Sequence, residues 1–308
     1  MIFCKSARPF LIRRIGAVFV GLSLMAVPTA ALAAHAKAPA QRHRVVRYRG
    51  TVLPAIGKDA AIVVDGMSGR TLYERDADAL RYPASLTKLM TLYLIFEAVT
   101  QKRITFQARW AVSEKAANEP PTKLGLYNFD YITVRDVVLG LITRSANDAA
   151  VVAAEGLAGS VDRFAQTMTR KARELGMSRT NFENASGLPN EDQVTTARDM
   201  ARLARALIYD FPNFYPLFAT SEFIFNGRVN ANHNRLMDHY PGMDGLKTGY
   251  VRASGFNLVA SAVRNGRRLI AVVIGGRSPG HRDQEVADRK STRLNSSHVK
   301  RSRMPSSA

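Results

Sequence analysis

Tyr82-Pro83-Ala84-Ser85-Leu86-Thr87-Lys88-Leu89-Met90 is the stretch on which the reading of the chain turns. Pro83 suits the approach to a helix rather than its interior, and an apolar run of good helix formers follows from Leu86 to Val99, so Ser85 falls at a helix start. Lys88 comes three residues later. Positions three apart share a helix face, which brings the hydroxyl and the amine within reach of each other. Leu89, Leu92, Tyr93, Leu94, Ile95 and Phe96 leave almost no polar side, so the helix is expected to be buried with Lys88 as its one cation. A buried ammonium loses solvation and its pKa falls, which makes the amine a base for a neighbouring serine. The same residues also describe a capping serine and a snorkelling surface lysine. Ser297 and Lys300 repeat the spacing with no apolar helix behind them, so spacing alone does not decide.

Working outward, charge excludes one class of function. The 308 residues carry a net charge of +19, yet all 25 acidic residues and 28 of the 44 lysines and arginines lie between residues 59 and 288. The basic excess is therefore concentrated at the two ends, whereas a nucleic-acid-binding domain would carry it on the folded unit. At the N-terminus Lys5, Arg8, Arg13 and Arg14 precede an apolar run, Ile15 to Val27, and then Ala31-Leu32-Ala33. That order is a secretory signal peptide over residues 1–33, and its roughly 13 apolar residues fall short of the ~20 that span a bilayer. Export to the periplasm or cell envelope follows. Membrane association is possible, since residues 34–58 form a basic, acid-free linker expected to be disordered. Cys4, the only cysteine, leaves with the signal, so the mature chain has neither a disulfide nor a thiol nucleophile.

The folded domain is expected over 59–288. Ala60 to Asp65 reads as a buried strand, Gly66 to Gly69 as a turn and Arg70 to Arg75 as a second strand. From about Thr133 to Tyr209 the pattern is helical, with Thr133/Asp136 and Thr196/Asp199 as capping pairs and Ser160 opening a further helix. Asn257 to Val263 and Arg268 to Ile274 are β-rich runs joined at Asn265-Gly266, and the second is apolar enough for the middle of a sheet. Strands at both ends with helices between give an α/β (α+β) fold: an antiparallel sheet flanked by helices, with a helical subdomain and a cleft between them. After Asp288 the chain turns polar and basic, so residues 289–308 read as a disordered, non-native tail replacing a native chain cut short.

Two further motifs occur once each: Ser145-Ala146-Asn147 between two helices, and Lys247-Thr248-Gly249 ahead of the Asn257 strand. Singly they read as helix capping and as the start of a strand. In this order with Ser85-x-x-Lys88 they are the signature of penicillin-binding proteins and class A β-lactamases. From about Asp59 to Asp283 the chain resembles the serine-type D-alanyl-D-alanine carboxypeptidases, the low-molecular-mass penicillin-binding proteins. Thr180 to Pro189, Asn232 to Met237 and Gly245 to Tyr250 support the resemblance. It implies a β-lactamase/DD-peptidase-like fold, peptidoglycan stem peptides as substrate, and β-lactams as inhibitors. No nucleic acid, cofactor or metal is implied, and the six histidines show no metal-ligand spacing.

Acyl transfer needs a nucleophile, a base, a proton donor for the leaving amine and oxyanion donors. Ser85 fits as nucleophile, Lys88 as its base, Ser145 as proton donor, and Asn147 as holder of Lys88 and of the substrate backbone. By resemblance, the oxyanion donors are the backbone N–H groups of Ser85 and Tyr250. Lys247, Thr248, Gly249, Tyr250 and Arg282 are the expected substrate-binding residues, with Lys247, Thr248 and Arg282 on the terminal carboxylate. The alternatives are D,D-endopeptidase action on cross-links, a class A-like β-lactamase using Glu183 to activate water, and a non-enzymatic β-lactam-sensing or wall-binding module.

Overall fold

The computed structural model describes residues 57–288. The expected signal peptide, most of the linker and the basic tail lie outside them. In chain order the elements are strands β1 (Ala60–Asp65) and β2 (Thr71–Arg75), helix α1 (Lys88–Thr100), strand β3 (Arg109–Ala111), helix α2 (Glu114–Ala117), strand β4 (Tyr131–Thr133), and helices α3 (Val134–Ile142), α4 (Asn147–Ala158), α5 (Val161–Glu174) and α6 (Ala197–Asp210). Strands β5 (Glu222–Phe225), β6 (Arg228–Ala231), β7 (Met243–Val251), β8 (Gly255–Arg264) and β9 (Arg267–Gly276) follow. A last helical run covers 279–288.

The main sheet has the order β2-β1-β9-β8-β7, with every neighbouring pair antiparallel. Its centre is β9, the near-continuous apolar run. Asn265 and Gly266, at φ 52° and 71°, make the tight turn into it, and both central residues of a type I′ hairpin turn need φ above zero. Side chains alternate across the pleat. Ile62, Val64, Val259, Ile270, Val272 and Ile274 face the main core with α1 and α6, while Ala61, Val63, Leu258, Ala260, Ala271 and Val273 face Leu236, Tyr240 and Val286. Val286 belongs to the last helical run, so the sheet is covered on both faces.

Helix α1 is buried from Lys88 to Phe96. Each large apolar side chain sealed there contributes roughly 1.5–3 kcal/mol. A helix apolar all round can only be a core element, and it packs against α3, α4, α5 and α6. The three expected caps form: Thr133, Ser160 and Thr196 accept from Asp136, Arg163 and Asp199 backbone N–H at 3.1, 3.3 and 3.0 Å. The helical part also carries a small antiparallel pair, β3–β4, with α2 between its strands, and β5–β6 forms a hairpin. Neither pair, three and four residues long, was legible in the sequence, because so short a run shows no period.

Candidate active site

Ser85 sits in a 3₁₀ turn, Ala84–Thr87, and the α-helix proper starts at Lys88. Two features of the sheet hold this turn. Asn257, fully buried on β8, donates its Nδ2 to the carbonyls of Tyr82 and Pro83 at 3.2 and 3.3 Å, and its Oδ1 accepts from Gly275 N at 3.1 Å. Strand β7 runs directly against the turn, because a Cβ on Gly249 would stand 3.1 Å from Ser85 N. From the other side Gly187, at φ +87°, approaches so closely that a Cβ would lie 1.9 Å from the Ala84 carbonyl oxygen, and only glycine fits. Ala84 itself has φ 50°, a strained backbone immediately before the serine.

Lys88 Nζ donates to Ser85 Oγ at 3.2 Å, to Asn147 Oδ1 at 2.8 Å and to the Ser186 carbonyl. It is wholly buried, and burial followed by the charge of Lys247 holds its pKa well below the usual lysine value, with Asp148 and Glu119 pulling the other way. Lys247 on β7 is 1% exposed and donates to the Thr248 carbonyl at 3.1 Å. Burial, then the charge of Arg282, lowers its pKa to about 7. Asn147 opens α4, and its Nδ2 donates to the Pro120 carbonyl at 2.9 Å. Ser145, at φ 57°, is buried, and its Oγ has no hydrogen-bond partner among the described residues, so it does not cap α4 as its position in the sequence suggests.

Ser85, Ser145, Asn147, Thr248, Gly249, Tyr250 and Arg282 line one groove of about 820 Å³, with Lys88 and Lys247 buried beside it. The three motifs therefore meet, as the sequence reading requires. Arg282 belongs to the last helical run, is 5% exposed and pairs with Asp283 at 2.7 Å. The third motif lies inside β7, the edge strand, rather than leading into a strand, so its outer edge is available to an extended peptide. Glu183, the residue a β-lactamase would need, is exposed, accepts from Asn181 Nδ2 at 2.7 Å and lines a different depression.

Several participants were missed. His233 lines the groove, and burial with the charges of Lys247, Arg144, Arg235 and Lys88 lowers its pKa to about 4, so the groove disfavours further positive charge. Asp148, fully buried, accepts from the N–H groups of Leu124, Gly125 and Leu126 at 3.0, 2.8 and 3.1 Å and fixes the opposite wall. The signals available were a polar Asn257 inside an apolar strand and an acid directly after Asn147. Among the described residues no cluster of His, Cys, Asp or Glu could hold a metal, and no helix is long and apolar enough to cross a membrane.

With this geometry in view, the match to known proteins is decisive. The sequence matches the D-alanyl-D-alanine carboxypeptidase family model over residues 49–278. The chain belongs to this family. It is 38% identical over 240 residues to D-alanyl-D-alanine carboxypeptidase DacD of Escherichia coli, covering 76% of this chain and 62% of that one. With DacF of Bacillus subtilis it shares 34% over 232 residues, 74% of this chain and 59% of that one. The chain thus spans about three fifths of the length of these relatives. Among solved structures it superposes on DacD from Francisella tularensis with a TM-score of 0.73 at 30% identity, covering 81% and 72% of the two chains. Penicillin-binding protein D2 from Listeria monocytogenes in its cefotaxime-bound form gives a TM-score of 0.69 at 30% identity, covering 76% and 96%.

Proposed function

We propose that this chain removes the terminal D-alanine from peptidoglycan stem peptides through an acyl-enzyme on Ser85, and that penicillins acylate the same oxygen. One observation carries the reading: a fully buried Lys88, hydrogen-bonded to Ser85 Oγ, beside a second buried cation. Lys88 in its neutral form takes the Ser85 proton as Oγ attacks the scissile carbonyl. The N–H groups of Ser85 and Tyr250 receive the oxyanion, for which a single donor is worth roughly 3–4 kcal/mol. Protonated Lys88 then gives up that proton by way of Ser145, whose Oγ takes it as it passes its own to the D-alanine amine while the C–N bond breaks. Protonated Lys247, with Thr248 and Arg282, holds the terminal carboxylate. Water then releases the acyl group, and the peptide lies along the edge of β7.

Position in the envelope follows from the substrate and from the N-terminal sequence. The peptide groove supports carboxypeptidase and endopeptidase action on the same chemistry, while the placement of Glu183 speaks against a β-lactamase. Release of D-alanine from a free pentapeptide, together with covalent labelling by a fluorescent penicillin, tests the proposal. Ser85→Ala should lose both, and release without any dependence on Ser85 would overturn it.

A further inference from the structure

Tyr127, Phe129 and Tyr131 are 69, 85 and 60% exposed on five consecutive residues. The turn bearing them is fixed by its backbone: Phe129 N donates to Val112 O at 3.0 Å, Val112 N to Asp130 O at 2.8 Å and Asp130 N to Tyr127 O at 3.2 Å. Packing does not account for three rings in water. Phe129 moreover has φ 69°, a conformation in which its β-carbon is crowded and which glycine or asparagine ordinarily takes. The chain thus holds a strained backbone under a ring that buries almost nothing, a combination typical of binding segments.

The same loop begins in the groove. Pro121 and Thr122 line it, the Pro120 carbonyl is held by Asn147, and Asp148 anchors residues 124–126. Five residues of chain reach at most ~18 Å, so Tyr127 stands within that distance of Thr122, about the length of an extended pentapeptide.

We propose that the turn 127–131 is a stacking platform for the glycan strand that carries the stem peptide lying in the groove, an inference resting on the peptidase reading above. A pyranose ring presents a flat face of C–H bonds that packs on an aromatic ring, while its hydroxyl and acetamido edges meet water and the tyrosine hydroxyls. Such stacking tolerates variation along a polymer, as base stacking does on aromatic platforms. Charge favours this occupant. The strand is neutral wherever its lactyl carboxyl is amidated by the peptide. From Leu124 to Val134 the turn carries one charge, Asp130, so the platform lacks the cluster of basic residues that draws a segment to an anionic lipid surface. Arg109 on β3 lies 5.5 Å over the Tyr131 ring and braces it.

The test compares two substrates of the full chain. In Tyr127→Ser/Phe129→Gly/Tyr131→Thr, kcat/KM on a free pentapeptide and the rate of penicillin acylation should stay as in the unsubstituted chain. On pentapeptide still linked to glycan strands, kcat/KM should fall at least about tenfold. Co-sedimentation of the Ser85→Ala protein with insoluble peptidoglycan sacculi should weaken in parallel when the three substitutions are added. Equal losses on both substrates, or none on either, overturn the platform. So does a variant that keeps sacculus binding but loses sedimentation with anionic phospholipid vesicles. An unsubstituted chain that releases D-alanine from neither substrate refutes the peptidase reading instead.

Discussion

Lys88, on the helical wall of the groove, and Lys247, on the sheet wall, are both sealed from solvent, yet their surroundings differ. Lys88 has three oxygen partners and feels the opposing charges of Asp148 and Glu119. Lys247 donates to a neighbouring backbone carbonyl, that of Thr248, and a second cation, Arg282, acts on it. Burial alone makes both amines poorer cations. The partners then separate their roles: a tied amine beside a hydroxyl suits proton transfer, whereas a loosely tied one suits an incoming carboxylate.

The sharpest way to break this comparison is at the hydroxyl. Ser85→Ala should lower kcat/KM on pentapeptide by about 10⁴-fold or more and abolish covalent penicillin labelling, because members of a catalytic unit fail together. Lys88→Met should be almost as inactive, yet lower the melting temperature by only a few degrees, since relief of the buried amine's desolvation offsets part of the cost of leaving Asn147 Oδ1 and the Ser186 carbonyl unpaired. A collapsed melting temperature would show that Lys88 is structural.

Loosening the tied lysine comes next. Asn147→Ala removes the 2.8 Å bond to Lys88 and the hold on Pro120. Hydrogen bonds to charged groups are worth about 1.5–3 kcal/mol, so kcat/KM should fall roughly 10- to 100-fold with penicillin labelling slowed but retained.

The untied lysine is probed by pH. Lys247 titrates near 7 when folded and near 10.5 in the unfolded chain. Between these values the unfolded chain binds more protons, so stability should rise with pH through this window and the destabilising contribution be complete below it. Lys247→Met should flatten the rise of the urea midpoint between pH 7 and 9.5, with up to about 1.4 kcal/mol per pH unit at stake. If protonated Lys247 holds the substrate carboxylate, kcat/KM should fall by up to tenfold per pH unit above about 7. Lys247→Arg, whose charge persists, should extend the plateau. The smallest effect is expected outside the groove. Glu183→Gln should leave both peptide hydrolysis and the lifetime of the penicilloyl adduct unchanged, and a longer-lived adduct would reinstate the β-lactamase reading.

Much of this was readable residue by residue. The caps at Thr133, Ser160 and Thr196, the Asn265-Gly266 turn and the burial of α1 are local facts, decided by neighbours a few positions apart, and each appears in the fold. The three motifs were legible as short patterns and acquired weight from their order. What stayed hidden was carried by residues far apart: Asn257 reaching back to Tyr82 and Pro83, Gly187 pressed on Ala84, His233 lowered by lysines on two other elements. A lone polar residue in a strand or a glycine in a loop has many common uses, and nothing nearby selects among them.

The sequence by itself determined which elements form and which chemical groups are available, because period, caps and turn residues act over one or two turns of chain. Only the tertiary structure decided that Lys247 loses its water as Lys88 does, that both lie beside one groove, and that the third motif occupies a sheet edge. Desolvation and mutual repulsion depend on distance in space, which residue spacing along the chain does not encode.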